Sequence, residues 1–318
     1  MEQRTYTRSV TRVSKSSYHC YFTDIPYHNR MSIILLNAGT KTRKAFMRGT
    51  QPQSVRRYQT KRMALHIDAQ GTPHVLAKNK PVDFTDARVL LRLSATDAHF
   101  CGILYDFFAH ANIPVTDKIN RYYQGRSEKI AQMLLLALAG IPVPESYIMR
   151  EESFARNKAH MLERLTFPFI CKRDGRKGEH VHLIETEVML EKYMQQKPPY
   201  TLTLFQPFIE NTFDTRTIVA FGEILGTIAR TRTHGFRNNV ATGARVSRYE
   251  LTDAEKDIAL RSTQACDLDI AGVDIIHTNT GPVVLEVNKS PQVHGFESVH
   301  GFSVFERIGT LMREQVSV

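Results

Sequence analysis

The sequence predicts an α/β chain of two or three packed lobes, and three observations carry that expectation. Short apolar runs of strand type, Ser32–Asn37, Ala87–Leu93 and Phe167–Arg173, are separated by stretches with helical spacing. Near the C-terminus, Val273–His277, a turn over Thr278–Pro282 and Val283–Val287 read as strand, Gly-Pro turn, strand. A chain of 318 residues, 42% apolar and 23% charged, can bury a sizeable core.

Residues 1–30 are basic and rich in Ser, Thr and Tyr, with no apolar run of the secretory type. Glu2, Asp24 and Pro26 weaken a mitochondrial reading, which leaves an extension that pairs with, or packs on, the first lobe. Asn37-Ala38-Gly39 ends the first strand. The net charge is +10, and no acid lies between Asp24 and Asp68, where Lys41, Arg43, Lys44, Arg48, Arg56, Arg57, Lys61 and Arg62 fall. That interval reads as a solvated, partly mobile loop, or as the contact for a polyanionic partner through Lys41–Arg62. Ala98–Ala111 then places Phe100, Leu104, Phe107 and Phe108 at helical spacing and stops at Asn112 and Pro114.

Ser127–Leu138 is a helix with Ser127 as N-cap and Gly140 as its stop, and 141–146 is an extended link. Lys172 ends an apolar strand, where an ammonium must reach an anion or water. Gly175 and Gly178 follow, and glycines let backbone N–H groups approach phosphates. Glu185–Lys197 is helical, Thr201–Ile209 is a strand, and Asp214–Arg230 is two strands joined at Phe221-Gly222-Glu223. Thr252–Ala265 opens on a capping box of Thr252 and Glu255, and Ser303–Met312 on a cap of Ser303 and Glu306.

The four cysteines, Cys20, Cys101, Cys171 and Cys266, lack metal or redox spacing. Three of them sit in apolar surroundings and read as reduced thiols, for which a cytoplasmic location is the simplest account. No run of about 20 apolar residues is present, so no membrane span is expected.

Chemistry concentrates in the C-terminal strand pair. Glu286 and Asn288 share one face of their strand, with Leu285 and Val287 turned to the core and a polar loop beyond. Asp274 interrupts an otherwise apolar strand, where an unpaired carboxylate is costly. A cation between the strands removes that cost. Two carboxylates and an amide oxygen are hard ligands for Mg2+, which completes its shell with phosphate oxygens. The spacing alone equally fits a surface hairpin with solvated acids.

Asp274, then Glu286 and Asn288, then Ser290-Pro291 together resemble the metal-binding end of ATP-grasp ligases. Within them the likeness is to the RimK-like group, which joins amino acids to carboxylates. The resemblance runs from about Ala87 to the C-terminus with the motifs in order. It implies the ATP-grasp fold, a Rossmann-like N-terminal lobe followed by two α+β lobes that clasp ATP. The corresponding divisions are a basic extension (1–30), an N-terminal lobe (31–118), a central lobe (119–204) and a C-terminal lobe (205–318). By the same resemblance Arg92 ends a strand of the first lobe. Lys129 reaches the phosphates, Lys172 binds the α- and β-phosphates, and the loop of Gly175 and Gly178 closes over them. Gln206, Pro207, Phe208 and Ile209 form the adenine linker; Pro207 has no N–H, so the donor is Phe208 or Ile209. Asp214, Arg216 and Arg230 face the nucleotide and the reacting carboxyl. Arg237, Asn238 and Asn239 contact phosphates, and Asp274, Glu286 and Asn288 hold two Mg2+ ions, with Mn2+ as substitute.

The implied reaction is phosphorylation of a carboxylate by ATP, then attack on the acyl phosphate by an amine, giving an amide, ADP and phosphate. Arg230 steadies the oxyanion, and Arg237 serves both nucleotide and reaction. No covalent nucleophile is needed, and neither Cys171 nor a histidine is assigned as one. The implied partners are a carboxylate on a peptide, protein C-terminus or small molecule, and an amino acid or other amine. A homo-oligomer is left open. Gln292-Val293-His294-Gly295 stands where the family has Gly-Leu-Glu-Gly, and Lys289 where a small residue is usual. Transfer of glutamate is therefore not fixed, and His294 and His300 are candidate anion contacts. A small-molecule kinase and a non-catalytic nucleotide- or polyanion-binding module remain open on the sequence.

Overall fold

The computed structural model describes residues 32–50, 55–92, 98–116, 128–173, 181–196, 202–233 and 244–314. The chain begins β1 (Ser32–Leu36), α1 (Thr40–Gly49), β2 (Val55–Tyr58), β3 (Met63–Ile67), β4 (Pro73–Ala77), β5 (Lys80–Pro81), β6 (Ala87–Leu91) and α2 (Ala98–His110). A parallel sheet is ordered β2-β1-β6. Its central strand is buried on both faces, as a parallel strand between covering layers requires. Ile33 and Leu35 enter one core, Ile34 and Leu36 another. The small antiparallel sheet β3-β4-β5 closes the second core with Val75, Met63 and Leu65.

The basic interval is therefore ordered on both sides of 51–54, not a mobile loop. Its charges mask a helix whose buried positions are Ala45, Phe46 and Gly49. Local partners hold several of the cations. Arg48 pairs with Glu306 at 2.8 Å, Arg56 donates to Ser32 Oγ at 2.9 Å, and Arg57 Nε to the Ala38 carbonyl at 2.6 Å.

The middle of the chain runs α3 (Glu128–Leu138), β7 (Tyr147–Met149), α4 (Glu151–Arg164), β8 (Phe169–Lys172), β9 (Val181–Ile184), α5 (Glu187–Gln195) and β10 (Thr203–Pro207). The sequence reading assigns no element to 147–164, where β7 and α4 lie. An antiparallel sheet ordered β7-β10-β8-β9 is covered by α4 and α5 through Phe154, Met161, Leu190 and Met194. Thr186 caps α5, its hydroxyl accepting from the Met189 N–H.

The remainder is β11 (Phe213–Ala220), β12 (Glu223–Thr231), β13 (Arg245–Arg248), α6 (Asp253–Ala265), β14 (Ile270–Thr278), β15 (Gly281–Asn288), α7 (His294–His300) and α8 (Val304–Glu314). These strands form one antiparallel sheet ordered β13-β12-β11-β14-β15. Phe221 and Gly222 both have positive φ, 50° and 78°, which matches the twist of a tight hairpin. The capping box of α6 forms as expected, Thr252 Oγ1 accepting from Glu255 N–H and Glu255 Oε2 from Thr252 N–H. One sheet face packs on α3 and α6. The other packs on α7, α8, α1 and β1, so the first lobe and this sheet share a single core.

Two expectations near the C-terminus are corrected. The segment beyond Asn288 is not all loop, because α7 lies in it. The first turn of α8 is capped by Glu297, whose Oε1 accepts from Val304 N–H at 2.9 Å, while Glu306 is taken by Arg48.

Helices α1 and α8 cross at two glycines. A Cβ on Gly49 would fall on the Glu306 carbonyl, and one on Gly309 would lie 2.7 Å from the Phe46 carbonyl. Both obstacles are backbone, which cannot rotate away. Gly49→Ala is therefore expected to destabilise the chain by about 1–3 kcal/mol, read by urea denaturation. An unchanged midpoint would show that the two helices are not seated this closely.

Candidate active site

Charged side chains, alternating in sign as far as Asp274, run across one face of the C-terminal sheet. The register pairs Asp214 with Arg230 between β11 and β12, Arg216 with Asp274 between β11 and β14, and Asp274 with Glu286 between β14 and β15. Arg216 is bidentate on Asp274, Nε to Oδ1 and Nη2 to Oδ2, both at 2.7 Å. Arg230 Nη2 reaches Asp274 Oδ2 at 3.1 Å and its Nε donates to Asp214 Oδ1 at 2.6 Å. With its amide turned to satisfy both neighbours, Asn288 donates its nitrogen to Glu286 Oε1 at 2.9 Å and its oxygen accepts from Arg216 Nη2 at 3.2 Å; in the opposite orientation the nitrogen lies 3.4 Å from Asp274 Oδ2.

A register shift in the β14–β15 pairing sets this face. Asp274 pairs with Glu286 but Ile275 pairs with Val284, leaving Leu285 as the extra residue. Val284 and Val287 consequently enter the core while Leu285 is only half-buried, which corrects the strict alternation expected from sequence. Gln132 of α3 clamps the same strand: its Nε2 donates to the Val287 carbonyl at 2.6 Å and its Oε1 accepts from Val287 N–H at 3.3 Å. Sequence reasoning missed Gln132. The available signal was a polar residue on a helix face otherwise formed by Ile130, Met133 and Leu136.

Burial opposes ionisation of Asp274, yet Arg216 and Arg230 together outweigh it and hold the carboxyl below its ordinary value. Asp214 is bonded to Arg230, but there burial, helped by the Asp274 charge, outweighs the arginines and pushes its carboxyl up to about 6.

Of the expected nucleotide residues, Lys172 and Gln206 are joined in a second cluster. Lys172, at the end of β8, donates to Gln206 Oε1 at 2.7 Å, and Gln206 Nε2 donates to Ser146 Oγ at 2.9 Å. Gln206 thus turns its side chain inward, with Pro207 last in β10 and Phe208 and Ile209 half-buried beyond it. Lys129 stands in the first turn of α3, and its side chain lies outside the described residues. Gly175, Gly178, Arg237, Asn238 and Asn239 also lie outside them.

The first lobe reaches this region through Arg92, which donates to Ser290 Oγ at 2.8 Å and lies 5.0 Å from the centre of the Phe305 ring. His300 is packed rather than presented. Its ring stacks on Phe296 at 4.2 Å, its Nε2 lies 3.0 Å from the Thr227 carbonyl, and Gly226 leaves it room. His294 is exposed. Cys171 is buried and its thiol is pushed up by that burial, which leaves it inert as a nucleophile.

Asp274, Glu286 and Asn288 bring two carboxylates and an amide oxygen to one face, a donor set that fits Mg2+. Among the described residues no three His, Cys, Asp or Glu side chains gather in a way that could hold a metal by themselves. The neighbouring guanidiniums suit a phosphate or a developing oxyanion.

Residues 126–311 match the family described as the RimK-like ATP-grasp domain. A probable alpha-L-glutamate ligase of Haemophilus influenzae is 30% identical over 253 residues, which span 76% of this chain and 82% of that one. An Escherichia coli relative named ribosomal protein bS6–L-glutamate ligase is 31% identical over 182 residues, 56% of this chain and 60% of its own. Among solved structures, the ATP-grasp ligase PsnB complexed with minimal precursor, Mg and ADP is similar with a TM-score of 0.66 at 18% identity, covering 92% of this chain and 100% of that one. A RimK domain ATP-grasp protein from Sphaerobacter thermophilus gives a TM-score of 0.63 at 20% identity, covering 87% and 98%. These likenesses show that the fold is ATP-grasp.

Removing Arg230 would leave Asp214 without its close cation and Asp274 with only one. Arg230→Met is expected to lower stability by about 3–5 kcal/mol, measured by urea unfolding. A loss below about 1 kcal/mol would contradict the buried pairing.

Proposed function

This chain belongs to the RimK-like ATP-grasp family and is an ADP-forming carboxylate–amine ligase, and we propose that the charged face of its C-terminal sheet is where ATP activates the carboxylate. The observation that carries this reading is the cross-strand row of Arg230, Asp214, Arg216, Asp274 and Glu286. Asp274, Glu286 and Asn288 would hold two Mg2+ ions, with Mn2+ able to substitute; bound there, the metal neutralises charge on the transferring phosphate. Lys172, steadied by Gln206, would pair with the α- and β-phosphates. In this reading Lys129, Gly175, Gly178, Asn238 and Asn239 complete the phosphate contacts, and the backbone of Phe208 or Ile209 faces adenine.

A carboxylate oxygen of the substrate attacks the γ-phosphorus, the bond to ADP breaks, and an acyl phosphate forms. An amine nitrogen then attacks the acyl carbon, phosphate leaves with the C–O electron pair, and the amine proton passes to solvent. Arg230 is fixed in direction by Asp214 before substrate arrives, so its N–H groups serve the oxyanion without reorganisation. Arg237 would assist it.

Peptides are bound to several structural neighbours, and glutamate appears in the names of the relatives. An acidic peptide carboxylate with glutamate as amine is therefore the first pair we assign, and the exposed cations of 41–62 would favour such a peptide. The packing of His300 leaves His294, with Lys289 beside Asn288, as the departures that border this site.

The assignment is tested by ADP release with Mg-ATP, an amino-acid pool and short acidic peptides, with the same samples taken to mass spectrometry. ADP release that requires both pools, a product equal to two inputs minus water, and loss of turnover in Glu286→Gln are expected. A phosphorylated stable product, or turnover unaffected by Glu286→Gln, would overturn the assignment.

A further inference from the structure

The two arginines that share Asp274 are not equivalent. Arg230 has a second acid, Asp214, at 2.6 Å. Among the described residues Arg216 has one acidic partner only, and gives it both bonds, at 2.7 Å each. A divalent cation that takes the Asp274 oxygens would leave Arg230 its Asp214 and leave Arg216 no acid. The Arg216 side chain is only 12% exposed, so solvent does little to compensate a stranded guanidinium.

We propose that Arg216 is an exchangeable counter-ion, standing in for the divalent cation at Asp274 in the nucleotide-free protein and passing to a phosphate oxygen when cation and nucleotide bind together. It follows that the ion and the polyphosphate bind cooperatively, and that the free ion binds weakly. Each ligand removes the obstacle to the other, and by linkage the enhancement is the same in both directions. Asn288 would take part in the exchange: in the amide orientation that satisfies both neighbours its oxygen accepts from Arg216 Nη2 at 3.2 Å and is freed as that guanidinium leaves. The pairing of Arg216 with Asp274 would also keep the ion site from filling before a nucleotide is present. This inference rests on Asp274, Glu286 and Asn288 being the ion site.

The test is Mn2+ binding to the nucleotide-free protein, followed by electron paramagnetic resonance, and the affinity of a fluorescent non-hydrolysable ATP analogue with and without Mn2+. Association of Mn2+ with the analogue in solution is common to every variant and cancels between them. Arg216→Gln is expected to bind free Mn2+ about tenfold or more tightly than the parent chain, and to lose a similar factor of the coupling between ion and nucleotide. Arg216→Lys, which keeps a charge without the bidentate fork, should fall between them. Equal Mn2+ affinity and equal coupling in parent and Arg216→Gln would overturn the proposal. Glu286→Gln separates the two levels. If it leaves Mn2+ binding unchanged, the ion-site reading itself fails; if it abolishes binding while Arg216→Gln keeps the parental coupling, only the exchange fails. Should Arg216→Gln not fold, the parent chain decides: a coupling no larger than the association of Mn2+ and analogue in solution overturns the proposal.

Discussion

A carboxylate removed from water is tolerated only if opposite charge is delivered to it in fixed geometry, and Asp274 sets that requirement for the whole C-terminal sheet. The requirement is met by register. Arg216 comes from the neighbouring strand directly opposite, and Arg230 reaches across from one strand further. Arg230 in turn needs Asp214 to keep its direction, and burial then raises the Asp214 carboxyl. The extra residue at Leu285 belongs to the same constraint. It lets Glu286 face Asp274 while Val284 and Val287 both stay in the core. A slip of one residue in any of these strands would turn the charged row to the opposite face, against α3 and α6.

Much of the fold is legible locally, since strands, capping boxes and hairpin turns are written in short stretches of sequence. Thr252 and Glu255 announce α6, and Phe221-Gly222 announces its hairpin. The helix over Thr40–Gly49 is not legible in the same way. Its cations dominate the pattern, and the reason its apolar side is buried lies in α8, far along the chain. Glu297 as the cap of α8 is hidden for a similar reason, because a nearer glutamate, Glu306, fits the local pattern better. At the site, Asp274, Glu286 and Asn288 stand out because polar residues interrupt apolar strands. The tie of Arg216 to Asp274 depends on which strands are neighbours. Pairing between β11 and β14 skips over β12, β13 and α6, and spacing along the chain does not reveal it.

The departures from the family pattern acquire a position in the structure. Lys289 follows Asn288 directly, and Ser290 next to it is the residue that Arg92 grips from the first lobe. Substitution here changes the ground between the candidate ion site and the strand end that carries Arg92. Gln132 contributes from behind, by fixing the backbone of Val287 between Glu286 and Asn288. The helix that carries this clamp begins beside Lys129, so one element touches both the candidate ion strand and the candidate phosphate lysine.

The core shared by β1, α1, α7 and α8 has a consequence for how the molecule comes into being. During synthesis Ile33, Leu35 and Phe46 emerge early, whereas Val304 and Ile308, which cover them, come from the far end of the described chain. Domains ordinarily fold one after another as they leave the ribosome. Here the first lobe cannot finish before the last helix appears. It waits with an apolar face open, and pairing over such separations is slow. The apolar face of β1 and α1 is therefore exposed to chaperones and to misassociation until α8 arrives.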